Sequence, residues 1–288
     1  MNVVLTGATG YIGSAVLARL LDAGHEVTAI VRSESSFAAA SRAGASAIVL
    51  DVTDTAAFAA ILRDADAAIH TASPGDASSA AFDDAVIDAV ISAFAGSSKP
   101  YLHTGGVWSW GSTANVTEAG PIDAPAIVAW RSAGQARVLE ADIAANIVSP
   151  AVVYGNGAGI PAIISASEKN ADGSVDLIGS GDQHWTTVHV DDLADLYVRV
   201  LESGRSKETY LAASGANPTV REITAAAFGP EVALTPQTVD AANARFGEAF
   251  AEALLLDQQA TGAKAKADLA WVPTRPTLVE ELAGVLAR

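Results

Sequence analysis

Three glycines near the N-terminus are spaced three residues apart, at Gly7, Gly10 and Gly13. An apolar run, Val3–Leu5, precedes them, and apolar residues at helical spacing follow over residues 12–22. This order predicts a strand, a tight turn and a helix, an arrangement that directs free backbone N–H groups at a phosphate. Gly7 permits the turn, Gly10 allows close backbone approach, and Gly13 lets the helix pack against the strand. We therefore predict a site for the diphosphate of a dinucleotide, with a plain turn between two core elements as the alternative.

A basic residue ends the second predicted strand, where the type of dinucleotide is selected. The strand runs over His25–Val31 and is followed by Arg32 and Ser33, with no acidic residue before Glu34. An acid at this position bonds the ribose hydroxyls of NAD, whereas an arginine accommodates the 2′-phosphate of NADP. Arg32 offers a fixed fork of donors, and Ser33 adds a hydroxyl. The sequence predicts NADP, with NAD less favoured; the alternative is a solvent-exposed arginine at a strand end.

The elements that must position these residues alternate between strand and helix in the first half of the chain. Further strands are predicted at residues 47–50, 67–70, 101–104 and 145–148. A helix is predicted over residues 83–94, with apolar residues on one face. Such alternation is typical of an α/β fold with a Rossmann-type, doubly wound parallel sheet.

The second half of the chain has a looser pattern. After about Pro150, loops rich in Gly, Ser and Asp separate shorter elements, and helices dominate residues 220–265. We therefore expect a cofactor-binding Rossmann domain over residues 1–150. Residues 151–288 are expected to form a smaller C-terminal substrate-covering lobe with excursions back to the sheet, the whole being one integrated unit.

Composition excludes several kinds of function. The 288 residues include no cysteine, which excludes disulfides, thiolate metal sites and a cysteine nucleophile. A net charge of −16 disfavours binding to nucleic acid and to anionic membranes. His184 and His189 lack a third ligand at suitable spacing, so no metal is expected. Without a long apolar run or a signal-type N-terminus, we expect a soluble, cytoplasmic monomer or homodimer that acts on a small molecule.

The segment Thr6–Gly13, TGATGYIG, resembles the nucleotide loop of the short-chain dehydrogenase/reductase superfamily in its extended or atypical branch, which includes NAD-dependent epimerases and dehydratases. The segments 149–155, 185–194 and 264–273 also resemble elements of that branch, so the resemblance spans most of the chain. It implies a Rossmann fold and a nicotinamide cofactor. It also implies that Asp51 faces the adenine, with the Val52 backbone nearby, although Asp51 would equally suit a helix cap.

The resemblance further implies that the small residues Thr71, Ala72 and Ser73 lie along the dinucleotide. The complete set of expected cofactor-binding residues is Thr6, Gly7, Thr9, Gly10, Tyr11, Ile12, Gly13, Arg32, Ser33, Asp51, Val52, Thr71, Ala72, Ser73 and Arg131.

The chain departs from the superfamily at the catalytic pair. Dehydrogenases of this kind carry Tyr-x-x-x-Lys on a helix, where the tyrosine transfers the proton. None of the five tyrosines has a lysine four residues later. The stretch that resembles the active-site helix, residues 127–135, places Ile127 at the tyrosine position and Arg131 at the lysine position. Arg131 can bond ribose hydroxyls and supply positive charge, but Ile127 cannot donate a proton.

Two further residues are candidates for the missing chemistry. Thr104 matches a hydroxyl that polarises the substrate carbonyl in the superfamily, although Gly105 stands where relatives often carry serine. Tyr154 lies in a segment that the superfamily places beside the nicotinamide, so it is a candidate replacement acid, with ordinary packing as the alternative. The expected catalytic residues are Thr104, Arg131 and Tyr154.

Three functions follow from these residues. The first is an NADP-dependent oxidoreductase that acts on a small carbonyl or hydroxyl compound with a non-standard proton donor. The second is an epimerase or dehydratase that retains its nicotinamide cofactor. The third is a non-catalytic, NADP-binding redox sensor, which would account for an intact cofactor half beside an incomplete catalytic pair.

Overall fold

A computed structural model of the chain describes residues 1–286. Its strands are β1 Asn2–Thr6, β2 Glu26–Val31, β3 Ser46–Val49, β4 Ala67–His70, β5 Pro100–Thr104, β6 Thr113–Val116, β7 Ala144–Pro150, β8 Val152–Gly155, β9 Ala158–Gly159, β10 Val175–Asp176, β11 Thr187–His189, β12 Thr209–Ala212, β13 Leu234–Thr235 and β14 Gln258–Ala260.

The helices lie between these strands and after them. They are α1 Tyr11–Asp22, α2 Glu34–Arg42, α3 Thr55–Arg63, α4 Ser79–Phe94, α5 Arg131–Glu140, α6 Ala162–Ser165, α7 Val190–Glu202, α8 Val220–Phe228, α9 Val239–Phe246, α10 Glu248–Leu254, α11 Ala263–Leu269 and α12 Leu278–Leu286. A 3₁₀ turn covers Val107–Trp110.

Seven parallel strands form the main sheet, in the order β12-β7-β5-β4-β1-β2-β3. The order runs outward from β1 in both directions, so the chain reverses direction across the sheet between β1 and β4. Ligands of open α/β sheets bind beside the carboxyl ends of the strands at such a switch point. The predicted α/β fold with a Rossmann-type, doubly wound parallel sheet is confirmed.

Helices cover both faces of this sheet, which explains why β1 is a continuous apolar run. Val3 and Leu5 pack in one buried cluster with Leu17 of α1 and Leu193 of α7. Val4 points the other way, into a cluster with residues of α3 and α4. Burial on both faces fixes the register of β1 and therefore the position of the glycine loop that follows it.

Several predicted boundaries move in the structure. The helix predicted over 83–94 begins at Ser79, and the third strand ends at Val49 rather than at residue 50. The helix expected within 127–135 begins only at Arg131, because residues 126–130 form turns in which the amides of Val128 and Ala129 both donate to the Pro125 carbonyl. Ile127 therefore precedes the helix and does not share a helical face with Arg131.

The chain after residue 150 contributes to the main sheet through β12, which pairs with β7. The other strands of this half form small sheets, of which the three-stranded one has the order β11-β8-β9. The division into residues 1–150 and 151–288 stays a prediction. Across residues 1–286, no helix combines the length and the apolar character that crossing a membrane requires.

Candidate functional site

The glycine loop between β1 and α1 is folded tightly on itself. The Gly10 amide donates to the Gly7 carbonyl at 2.8 Å, and Gly7 has a positive φ of 78°. A Cβ atom on Gly7 would lie 2.7 Å from both the Ala72 amide nitrogen and Thr71 Oγ1. A side chain is therefore excluded at residue 7 by conformation and by space.

Gly13 and Gly10 serve different purposes in this loop. A Cβ atom on Gly13 would collide with the Gly7 carbonyl group, so the start of α1 packs directly on the loop. Around a Cβ atom on Gly10, the nearest atom would be the Gly7 carbonyl oxygen, at 3.3 Å. Gly10 is exposed and faces open space, as a residue beside a ligand would.

A first cavity of about 510 Å³ opens along the carboxyl ends of β1 to β4. It is lined by Thr6, Gly7, Thr9, Gly10, Tyr11, Ile12, Gly13, Ile30, Val31, Arg32, Ser36, Leu50, Val52, Thr71, Ala72, Ser73, Pro74 and Phe82. Twelve of the fifteen expected cofactor-binding residues are in this set, and the other three, Ser33, Asp51 and Arg131, are not.

Ser33 and Asp51 take part in local hydrogen bonds of the chain. Ser33 caps α2, and its hydroxyl oxygen accepts from the Ser36 amide at 3.2 Å. Asp51 accepts from the amide and the hydroxyl of Thr53, and these hydrogen bonds lower the pKa of Asp51. Ser36 lines the cavity in place of Ser33, a difference that depends on where α2 begins and is not visible in the sequence.

A buried polar network lies beneath the first cavity and joins the ends of β1, β4 and β5 to α4. Thr6 Oγ1 lies 2.7 Å from His70 Nδ1, and His70 Nε2 lies 3.1 Å from Asp83 Oδ1. A neutral His70 satisfies both contacts, accepting from Thr6 and donating to Asp83. On the other side of Asp83, His103 Nε2 lies 3.4 Å from Oδ2, and the Tyr101 hydroxyl donates to His103 Nδ1 at 2.9 Å.

The charges in this network follow from burial. Burial lowers the pKa of His70, which keeps its imidazole neutral. Burial also opposes ionisation of Asp83, but hydrogen bonds from His103 and His70 outweigh it and hold the pKa of Asp83 below its usual range. A single carboxylate charge therefore lies under the switch point. The sequence did not single out Asp83, which lies within α4 between Phe82 and Asp84 and has no distinctive neighbours.

A second, smaller cavity of about 180 Å³ continues along the same edge, at the carboxyl ends of β5 and β7. Its walls are Gly105, Gly106, Val107, Trp108, Val128, Arg131, Pro150, Ala151, Val152 and Ile160. Arg131 is the charged member of this set. Its guanidinium carbon lies 4.3 Å from the centre of the Trp130 ring, and Nη1 lies 3.5 Å from the Thr104 carbonyl oxygen.

Thr104 lies close to both cavities, but its hydroxyl is engaged elsewhere. Thr104 Oγ1 donates to the His70 carbonyl at 2.5 Å and accepts from the Tyr197 hydroxyl at 2.6 Å. Tyr197, on α7, is fully buried, and nothing in the sequence distinguished it from an ordinary core residue. The structure thus places the Thr104 hydroxyl inside a protein network and not on a cavity wall.

Tyr154 lines neither cavity. Its hydroxyl donates to the Pro276 carbonyl at 2.7 Å, and only 2 % of the residue is exposed. Burial raises the pKa of Tyr154, and the charges of Asp192 and Glu281 raise it further. The ring packs edge-on against His189. Tyr154 therefore has the geometry of a structural tyrosine, the alternative considered from the sequence.

No group of three or more His, Asp or Glu side chains in the described part of the chain is arranged to hold a metal ion. Tyr11 and Arg32 line the first cavity, Arg131 lines the second, and the network of Asp83 lies beneath the first. What the geometry offers is a long crevice with a glycine loop and Arg32 at one end and an apolar pocket with Arg131 at the other.

Comparison with known proteins agrees with this geometry. Residues 7–204 match the family described as NAD(P)H-binding. An uncharacterised protein of Schizosaccharomyces pombe is 29 % identical over 295 residues, covering 98 % of each chain.

Solved structures share the fold at low identity. A human epimerase family protein determined with NADPH superimposes with a TM-score of 0.76 at 22 % identity, covering all of both chains. The dTDP-glucose 4,6-dehydratase DesIV of Streptomyces venezuelae, determined with NAD, superimposes with a TM-score of 0.77 at 20 % identity, covering 99 % of this chain and 96 % of that one.

Proposed function

This chain belongs to the NAD(P)H-binding family, and from that premise we propose that it is an NADP-dependent oxidoreductase of a small carbonyl or hydroxyl compound. The observation that carries the proposal is the pair of cavities along one edge of the sheet. The first is long and begins at a glycine loop; the second is small, apolar and supplied with one guanidinium. A dinucleotide that donates hydride needs such a division between its own crevice and a substrate pocket.

The residues present fit the cofactor. The space in front of Gly10 is a cradle that a side chain would fill, and the free amides of the loop at the start of α1 suit a diphosphate. Apolar Ile30, Leu50 and Val52 would enclose the adenine. Arg32 and Ser36 would hold the 2′-phosphate, since an exposed guanidinium binds a phosphate with two parallel hydrogen bonds.

The nicotinamide would supply the hydride, and the protein would orient the substrate and stabilise its oxygen. We assign that electrostatic role to Arg131, which is half-buried beside the apolar pocket. Burial lowers the pKa of Arg131, yet a guanidinium stays protonated at neutral pH. Arg131 therefore stabilises developing negative charge without giving up its proton, and the proton comes from solvent at the pocket mouth.

Turnover with NADPH tests this proposal. We expect NADPH to be oxidised by at least one member of a panel of small apolar aldehydes, ketones and imines, followed at the absorbance of the reduced nicotinamide. Isomerisation of a hydroxyl compound without net oxidation would support the epimerase or dehydratase alternative instead.

The redox sensor is the second candidate, and one observation favours it. Among the residues that the structure describes, the second cavity is lined by no hydroxyl, carboxyl or imidazole side chain. Tight NADPH binding without turnover across the whole panel would support the sensor. It would contradict the oxidoreductase.

A further inference from the structure

A short hairpin, formed by β8 and β9, links the walls of the two cavities. Its first residue, Val152, and the residue that follows it, Ile160, both line the second cavity. At the end of β8, the Gly155 carbonyl accepts a hydrogen bond from the Tyr11 hydroxyl at 2.9 Å. Tyr11 is itself a lining residue of the first cavity. The hairpin therefore contacts a wall residue of the first cavity and contributes its own ends to the wall of the second.

Tyr11 touches this hairpin at a second point. A Cβ atom on Gly159 would lie 3.2 Å from Tyr11 Cε1, so the edge of the ring packs against the backbone there. Gly159 has a φ of 87°, and the same Cβ atom would collide with the Val153 carbonyl oxygen. A side chain is therefore excluded at residue 159, and its absence is what lets Tyr11 approach the backbone so closely.

The two strands of the hairpin are held to different degrees. β8 pairs with β11 on its other side, and a Cβ atom on Gly155 would lie 2.5 Å from His189 Nε2. β9 is the two-residue edge strand of this sheet, and residues 156 and 157 at the turn are exposed. β8 is thus held from both sides, whereas β9 depends on its pairing with β8 and on its contact with Tyr11. Because Ile160 directly follows β9, its position depends on the same contacts.

The backbone of Tyr11 lies where a dinucleotide would bind. Tyr11 is the first residue of α1, directly after Gly10. The first amides of a helix have no partner within the helix and suit a diphosphate. Burial, together with the charges of Glu281 and Asp191, raises the pKa of Tyr11, so its hydroxyl keeps the proton that it donates. A dinucleotide at the glycine loop would therefore fix the backbone of the residue whose side chain holds the hairpin.

We propose that Tyr11 is a positioning residue that couples the two cavities: a dinucleotide at the glycine loop fixes Tyr11, and Tyr11 then fixes β9 and the Ile160 wall of the second cavity. The substrate pocket takes its final shape only after the dinucleotide has bound, so the carbonyl compound binds second. The role of Tyr11 rests on the proposed function, because it needs a dinucleotide in the first cavity.

Hydrogen exchange measured by mass spectrometry tests this role without turnover. The probe is 2′-phospho-ADP-ribose, which carries the diphosphate of NADP but has no nicotinamide ring that could itself touch Ile160. In the wild-type protein, we expect the probe to slow amide exchange about tenfold in residues 7–14 and in residues 156–160, the effect of about one hydrogen bond. In Tyr11→Phe, which keeps the ring and loses the hydroxyl, residues 7–14 should still be slowed, but residues 156–160 should lose most of that effect.

Tyr154→Phe is the matched control. The Tyr154 hydroxyl also donates to a distant backbone carbonyl, and Tyr154 directly precedes Gly155 in β8, but it lines neither cavity. The probe should therefore slow residues 156–160 in Tyr154→Phe as it does in the wild-type protein. In turnover, Tyr11→Phe should raise KM for the carbonyl compound about tenfold and leave kcat and the NADPH affinity nearly unchanged, the pattern of lost substrate binding.

Three results would contradict this account, and each points to a different part of it. Slowing of residues 7–14 without slowing of residues 156–160 in the wild-type protein would overturn the coupling, whether or not the variant folds. Equal slowing of residues 156–160 in the wild-type protein and in Tyr11→Phe would overturn the role of Tyr11. A probe that slows neither segment of the wild-type protein would overturn the proposed function, and the role of Tyr11 with it.

Discussion

Arg131 and Tyr154 were both expected to act in catalysis, but the structure places them in different surroundings. Arg131 lines the second cavity, whereas the Tyr154 hydroxyl is bonded to the Pro276 carbonyl. The position of Arg131 could be inferred from its sequence neighbourhood, since it opens the helix that resembles the superfamily's active-site helix. The environment of Tyr154 could not, because its partner lies 122 residues away and is a backbone group.

The different surroundings of these residues predict different effects on turnover. Arg131→Ala should lower kcat/KM for a carbonyl substrate by about 10²-fold, the typical effect of removing one preorganised donor. Tyr154→Phe should leave it nearly unchanged and cost about 1 kcal/mol of stability, the net value of one hydrogen bond. Steady-state kinetics and chemical denaturation give the two quantities.

Arg137→Ala is the control for Arg131. Arg137 lies on the same helix but is partly exposed and pairs with Asp84 and Asp88 on α4, so its loss should not change turnover. A hundredfold drop in Tyr154→Phe with none in Arg131→Ala would contradict these assignments.

Among the strands and helices, the sequence was sufficient to predict those elements whose own residues determine their structure. The strand, glycine loop and helix over residues 2–22 were predictable because an apolar run and glycine spacing determine them locally. The start of α5 was not predictable, because turns that follow Pro125 stand where the resemblance to the superfamily's active-site helix implied a helical turn. The polar network of His70, Asp83 and His103 depends on the lateral order of β4 and β5, which no local pattern encodes.

The glycine loop predicts a contrast between two substitutions. Gly10→Val should abolish NADPH binding while the fold is kept, because its side chain would extend into the cavity and meet little protein. Gly13→Val should unfold or strongly destabilise the protein, because a side chain there collides with the Gly7 carbonyl group. Circular dichroism and calorimetric titration measure the two effects. Wild-type NADPH affinity in a folded Gly10→Val variant would show that the loop is only a turn.

For the whole molecule, the buried network links stability to pH. Burial lowers the pKa of His70 in the folded chain and keeps its imidazole neutral. In the unfolded chain the pKa of His70 returns to its ordinary value of about 6.5. Between these two pKa values, only the unfolded chain binds the proton. Asp83 also has a lowered folded pKa, so below about pH 4 the unfolded chain again binds more protons. Both groups stabilise the fold at neutral pH, and their contributions decline as the pH falls.

This linkage predicts the course of an acid titration. The free energy of unfolding should decrease as the pH is lowered from 7 to 5, with His70 contributing up to about 1.4 kcal/mol per pH unit. His70→Gln should be less stable at pH 7 but should show a shallower decrease over the same range. Urea denaturation at a series of pH values measures both. Equal slopes in the two proteins would contradict the neutral, buried state of His70.

The most direct test of the account is a calorimetric comparison of NADPH with NADH. Arg32 is exposed at the end of β2 and lines the first cavity, so its guanidinium should favour the 2′-phosphate by about 1.5–3 kcal/mol. Arg32→Ala should lose most of that preference, while Arg42→Ala, which removes another exposed arginine at the far end of α2, should retain it. We predict that the wild-type protein binds NADPH at least tenfold more tightly than NADH. Equal affinities, or a preference for NADPH that survives in Arg32→Ala, would contradict the assignment of the first cavity to NADP.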